Sequence, residues 1–100
     1  MNTLDPDNIK LAQDIASHIQ AQKGKTLTAP TLAEKFHAHP SKIRGCISLA
    51  RSMGLPVCSN ARGYYWSCKP KDIAQTVAHI EDRITKQQNA VKGLKEWLQA

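Results

Sequence analysis

The most constraining feature of this sequence is residues 28–66, where two helical segments are followed by two strand segments. Thr28 or Thr31 can cap a short first helix. Pro40 cannot continue that helix, but its fixed φ angle suits the first turn of a second helix, which runs through Met53. Alternating apolar residues, a Gly-containing turn and an aromatic run then predict a β-hairpin. This order leaves few arrangements open to the chain.

The predicted second helix has two chemically different faces. Apolar residues recur on one of them at helical spacing: Ile43, Cys46 or Ile47, and Ala50. The opposite face is small, polar and basic: Ser41, Arg44, Gly45, Ser48 and Ser52. A helix that buries one stripe and exposes such a face is suited to reading the major groove of DNA.

Positive charge is concentrated around these elements. The net charge of the chain is +6, yet residues 23–71 contain nine basic residues and one acidic residue, Glu34. The rest of the chain contains five basic and seven acidic residues. This distribution favours sequence-independent attraction to phosphates, although an ordinary basic surface is an alternative interpretation.

The flanking segments complete the predicted fold. Asp5 and Pro6 open a first amphipathic helix that extends to about Gln22, and residues 25–28 can add a short third strand to the hairpin. We predict a mainly α fold with a small β-hairpin (α+β), a winged helix-turn-helix followed by a long C-terminal helix. The predicted divisions are a DNA-binding domain over 1–68 and a helix over 69–100.

The C-terminal helix carries a heptad-like apolar seam in which Gln87 is the polar exception. The seam is formed by Ile73, Val77, Ile80, Ile84, Gln87, Val91, Leu94 and Leu98. A helix from Pro70 to Leu98 is about 43 Å long at 1.5 Å per residue, which exceeds what the small module can cover. We predict that Ile84, Gln87, Val91, Leu94 and Leu98 form a coiled-coil homodimer. The alternative is that the helix folds back on Ile9, Ile15 and Ile19 of its own chain.

The stretch from Gly24 to Trp66 resembles the winged helix-turn-helix at the N-terminus of biotin protein ligase repressors and of small phage and prophage regulators. The resemblance rests on Leu32-Ala33-Glu34-Lys35-Phe36 and on Gly54-Leu55-Pro56-Val57-Cys58-Ser59-Asn60-Ala61-Arg62-Gly63-Tyr64. It implies the fold and DNA binding. The sequence departs from the family pattern at Gly45, which lies within the predicted recognition helix. A glycine there destabilises the helix by about 1 kcal/mol relative to Ala. Because no catalytic domain follows, the chain is similar to small regulators of this kind.

The predicted function is sequence-specific binding of double-stranded DNA by a homodimeric bacterial or phage transcriptional regulator. Helix Pro40–Met53 is expected in the major groove, and the wing, Ser59–Tyr64, on the backbone or in the minor groove. The candidate DNA-binding residues are Ser41, Lys42, Arg44, Ser48, Arg51, Arg62, Lys25, Lys35, His39 and Asn60. Arg44 is the best candidate for a bidentate contact to guanine.

Other functional classes were weighed against this one. A protein-interaction module acting on a replication or transcription protein and an architectural or recombination accessory protein both remain open. We expect no enzymatic activity, because no catalytic constellation occurs in the sequence, and no cofactor or metal. His37 and His39 alone make an incomplete metal site, and we expect His39 instead to cap the second helix and to point at a phosphate when protonated. A cytoplasmic location is expected, because the N-terminus lacks signal-peptide features and no apolar run could span a membrane.

Overall fold

The computed structural model describes residues 5–99. Residues 1–4 and residue 100 lie outside it, so the expectation about a signal peptide falls mostly on residues that are not described. The described residues form four helices and one two-stranded antiparallel sheet. In chain order these are α1 (Pro6–Ala21), α2 (Ala29–Phe36), α3 (Pro40–Ser52), β1 (Val57–Asn60), β2 (Gly63–Trp66) and α4 (Pro70–Leu98). The order matches the predicted winged helix-turn-helix with a long C-terminal helix.

Local capping chemistry sets the boundaries of the first three helices. Asp5 caps α1, and the Thr28 hydroxyl, rather than that of Thr31, caps α2 by accepting the Thr31 N–H at 3.2 Å. The turn between α2 and α3 begins at His37, which adopts a left-handed conformation with φ 52°. α3 ends at Ser52, and the chain turns away at the left-handed residue Gly54, where the N–H groups of Gly54 and Leu55 donate to the carbonyls of Arg51 and Ala50.

The hairpin pairs Val57 with Trp66 and Asn60 with Gly63. Residues 25–28 do not form the predicted third strand, because their pairing with the sheet is limited to one bridge between Leu27 and Tyr64. Gly63 makes that bridge possible. Its φ is +139°, and a Cβ atom at this position would lie 2.6 Å from the carbonyl oxygen of Leu27.

The hydrophobic core lies where α1 and α2 pack against α3 and the hairpin. The predicted buried face of α3 is confirmed: Ile43, Cys46, Ile47 and Ala50 are all buried. In β1, Val57 and Cys58 are both buried. The reason is that β1 is covered from two sides, by α3 and by α4.

Only the start of α4 packs on the rest of the chain. Thr76 is its one buried residue among those described, and every residue from 81 to 99 is exposed. The alternative in which the helix folds back on Ile9, Ile15 and Ile19 is therefore wrong. The radius of gyration is 15.5 Å, above the ~13 Å typical of a compact chain of about 100 residues, because α4 projects. None of the described helices is long and apolar enough to cross a membrane.

Candidate nucleic-acid interface

The outward face of α3 is the centre of the candidate interface. Ser41, Arg44, Gly45, Ser48 and Ser52 are all exposed, as predicted. A Cβ atom added at Gly45 would meet nothing within 4 Å, so the surface around this glycine is open. The face therefore combines one long cation with short side chains, which allows another molecule to approach the helix backbone closely.

The first turn of α3 is organised by His39. Its Nδ1 accepts the backbone N–H of Ser41 at 3.1 Å and lies 2.8 Å from the Ser41 hydroxyl. The expectation that His39 caps this helix is confirmed.

The wing tip is a tight turn stabilised by Asn60. The side-chain oxygen of Asn60 accepts the backbone N–H of Arg62 at 2.8 Å. This bond holds the turn, and the Arg62 side chain is exposed beyond it. Asn60 thus has a structural role in addition to its predicted contact with DNA, which stays a prediction.

Arg51 joins α3 to the hairpin. Its Nε donates to the Val57 carbonyl at 2.7 Å, and a terminal nitrogen donates to the Ser59 hydroxyl at 3.1 Å. The guanidinium carbon also lies 5.8 Å from the centre of the Tyr64 ring. Burial lowers the pKa of the Arg51 guanidinium. Tyr64 and Cys58 oppose this effect, whereas the charge of Arg83 adds to it. Because these contacts occupy part of the guanidinium, Arg51 fixes the wing as well as adding positive charge.

Four of the predicted residues line one open concavity of about 290 Å³: Arg44, Arg51, Asn60 and Arg62. It lies between the start of α2, the exposed side of α3, the wing and α4. A fourth arginine, Arg83 of α4, also lines it, and no acidic residue does. Sequence reasoning missed Arg83. Its spacing in the sequence could have identified it. Arg83 lies seven residues after Thr76, which places both residues on the same side of the helix.

The remaining predicted DNA-binding residues do not line this concavity. Lys25, Lys35, Ser41 and Ser48 are exposed elsewhere on the module. Lys42 is half-buried one turn before Cys46. Burial raises the pKa of the Cys46 thiol, and the charge of Lys42 opposes this effect more weakly. The roles of all these residues as DNA contacts stay predictions.

The predicted dimerisation residues form an exposed stripe on the second half of α4. Ile84 and Val91 are about half exposed, at 51% and 50%, and Leu94 and Leu98 are exposed at 69% and 84%. Gln87 is exposed among them. Such a series of exposed large apolar residues is unusual on a monomer surface.

Comparison with known proteins gives limited additional information. The chain matches no protein-family model and no curated protein sequence. Among solved structures it is similar to a GntR family transcriptional regulator from Listeria monocytogenes, with 16% sequence identity and a TM-score of 0.49. The similarity covers 93% of this chain and 85% of that one. The fold assignment therefore rests on the order and packing of the elements themselves.

Proposed function

We propose that this protein binds specific sequences of double-stranded DNA and regulates transcription as a small homodimeric bacterial or phage regulator. In this proposal α3 occupies the major groove, and the wing, Ser59–Tyr64, lies on the backbone or in the minor groove. The observation that carries it is the convergence of arginines from α3 and the wing on one surface without any acidic residue. That surface is continuous with the small polar face of α3.

The two types of contact to DNA fall on different residues in this proposal. Ser41, Lys42, Arg44 and Ser48 read base edges, and Arg44 supports a bidentate contact to guanine. Lys25, Lys35, Arg51 and Arg62 supply backbone contacts, with His39 and Asn60 as further polar contacts. Specificity then depends on α3, whereas the salt dependence depends on the surrounding cations.

The homodimer is proposed to form through the second half of α4. A stripe of apolar side chains that are at least half exposed within residues 5–99 supports association with an equivalent helix. Gly93, around which an added Cβ atom would meet nothing within 4 Å, leaves room for close approach of a partner helix. Gln87 within the stripe can fix the register. A two-fold dimer then reads an inverted repeat, with a half-site spacing set by the paired helices.

Selection of bound sequences from a random pool of duplex DNA tests the proposal most directly. We expect an inverted-repeat consensus. Recovery of an unrelated collection of sequences by a tightly binding protein would favour an architectural role instead. A low ratio of specific to random affinity would support the same conclusion.

The role of Arg44 is tested by Arg44→Ala titrated against the selected sequence and against random duplex. We expect a loss of about 1–3 kcal/mol that is larger on the selected sequence, because a base contact is lost. Lys92→Ala, an exposed cation on α4, is the matched control and should change both affinities little. Equal losses on both DNAs would make Arg44 a phosphate contact.

A second candidate function is binding to a replication or transcription protein. The exposed apolar residues at the end of α4, which include Trp97 at 80% exposure, favour this alternative because a heterologous helix could also cover them. A chain that stays monomeric at high concentration and shows no salt-dependent affinity for duplex DNA would support it over the DNA-binding regulator.

A further inference from the structure

The position of Arg83 follows from how α4 is attached to the hairpin. The hydroxyl of Thr76 accepts the Ser59 N–H at 3.3 Å and donates to the Asp72 carbonyl at 3.0 Å. Asp72 also accepts a hydrogen bond of 2.7 Å from the hydroxyl of Ser67, just after β2. These contacts fix the start of α4 beside the wing. Arg83 lies about two helical turns after Thr76 on the same side, and it reaches the concavity already described.

The concavity therefore gathers arginines from three elements: Arg44 and Arg51 from α3, Arg62 from the wing and Arg83 from α4. Within residues 5–99 the ion pairs are Lys10 with Asp14 and Lys86 with Asp82. Asp82, the acidic neighbour of Arg83 in sequence, is thus engaged with Lys86. The four guanidinium groups have no carboxylate partner in the part of the chain that the structure describes.

Such a cluster favours the binding of an anion. Like charges repel most where solvent is partly excluded, and Arg51 is half-buried. A group with several negatively charged oxygens can accept donors from more than one guanidinium at once. Arg51 already donates to Val57 and Ser59, and Arg44 is assigned above to a base contact, so Arg62 and Arg83 have the most N–H donors to offer a phosphate.

We propose that this concavity is a phosphodiester-binding site and that Arg83 contacts the DNA backbone, which makes α4 part of the DNA-binding surface. The inference rests on the DNA binding proposed above. It adds that the helix proposed to join two chains also contacts the nucleic acid. The spacing of the two modules and their position on DNA are then determined by the same rigid element.

Arg83→Gln tests the inference in the full-length chain, with Lys92→Gln as a control that removes the same charge farther along α4. The measurement is the affinity for a random-sequence duplex at several salt concentrations. We expect Arg83→Gln to weaken binding about threefold to tenfold and to reduce the salt slope by about 0.9, as for one lost phosphate contact. Arg83→Lys should restore part of the affinity, and Lys92→Gln should leave the slope unchanged.

Competition distinguishes DNA from a small phosphate ligand. If inorganic phosphate displaces the duplex only at concentrations where chloride of equal ionic strength does so, the site recognises DNA backbone rather than free phosphate. Displacement at much lower concentrations, abolished by Arg83→Gln, would assign a free phosphate ligand and overturn the inference.

The outcomes separate this inference from the function on which it rests. Equal effects of Arg83→Gln and Lys92→Gln, with Arg44→Ala and Arg62→Ala still weakening binding, would overturn the role of Arg83 and leave DNA binding intact. Absence of duplex binding by the wild-type chain would overturn both. Circular dichroism of each variant checks that the exposed substitutions leave the fold unchanged.

Discussion

The two halves of α4 have the same apolar spacing but differ in exposure. Ile73 and Val77 in the first half are 37% and 44% exposed, whereas the apolar seam residues of the second half are at least 50% exposed. In the first half, Thr76 is buried at 5% exposure and Ile80 is half-buried beside β1. In the second half, the exposure of apolar residues rises from 51% at Ile84 to 84% at Leu98. The first half is held by the hairpin, whereas no part of residues 5–99 covers the second.

The apolar seam is most exposed in the second half of α4. The partner helix proposed above would supply tertiary contacts there, and such contacts provide most of the stability of helices in proteins. Near the hairpin the contact is made by a threonine hydroxyl, which pairs with an exposed backbone group of β1. A continuous pattern along one helix can therefore combine an internal attachment with an external binding surface.

The strongest test compares an isoleucine of the hydrophobic core with one in the exposed second half of α4, each replaced by alanine. Ile47→Ala should lower the free energy of unfolding by about 2–5 kcal/mol, because the side chain is 1% exposed and leaves a cavity. Ile84→Ala should change it by less than about 0.5 kcal/mol in dilute protein, because little packing is lost. Urea denaturation at low concentration measures both. Similar losses at the two positions would contradict the exposed placement of the second half of α4.

Self-association, in contrast to the free energy of unfolding, should be sensitive to substitutions in the second half of α4. Val91→Asp combined with Leu94→Asp should weaken self-association at least about a hundredfold, since both side chains lie in the exposed seam. Sedimentation equilibrium gives the dissociation constant. Amide hydrogen exchange should also show concentration-dependent protection of residues 84–98 in the wild type. An unchanged dissociation constant in the double variant would remove the proposed dimer interface.

The attachment of α4 to the wing depends on one hydroxyl. Thr76→Val keeps the shape of the side chain but leaves the Ser59 N–H without its acceptor, so we expect a loss of about 1–3 kcal/mol. Hydrogen exchange at Ser59 should accelerate, and Thr76→Ser should retain most of the protection. If the valine variant matched the wild type in both stability and exchange, Thr76 would not anchor the helix.

The smallest effects are expected at the two exposed ion pairs. Lys10→Gln in the module and Lys86→Gln in α4 each remove an i,i+4 contact, of 3.6 Å to Asp14 and 2.9 Å to Asp82 respectively. Each change should cost no more than about 0.5 kcal/mol, because both pairs are open to solvent. Thermal unfolding at low and high salt measures this. A larger, salt-sensitive loss for Lys86→Gln alone would indicate that the pair stabilises the projecting half of α4.

Much of the fold follows from patterns that act within a few residues. The caps at Asp5, Thr28 and His39 and the division of α3 into buried and exposed faces all depend on local spacing, and the sequence predicts them correctly. The prediction of a third strand was wrong because Leu27 pairs with the hairpin through one isolated bridge instead of a series of paired residues. The burial of both Val57 and Cys58 depends on α3 and α4, which both contact β1 and are not its immediate neighbours in sequence.

By itself, the sequence determined the helices, the hairpin and the chemical character of each surface of α3, because these depend on periodicity and on capping groups close together in the chain. Only the tertiary structure decided that Arg83 joins Arg44, Arg51 and Arg62, and that Thr76 rather than the apolar seam is the buried contact of α4. Periodicity identifies residues that share one side of an element. Packing between residues distant in sequence decides which neighbouring element covers that side. In this protein, that packing places the start of α4 beside the wing.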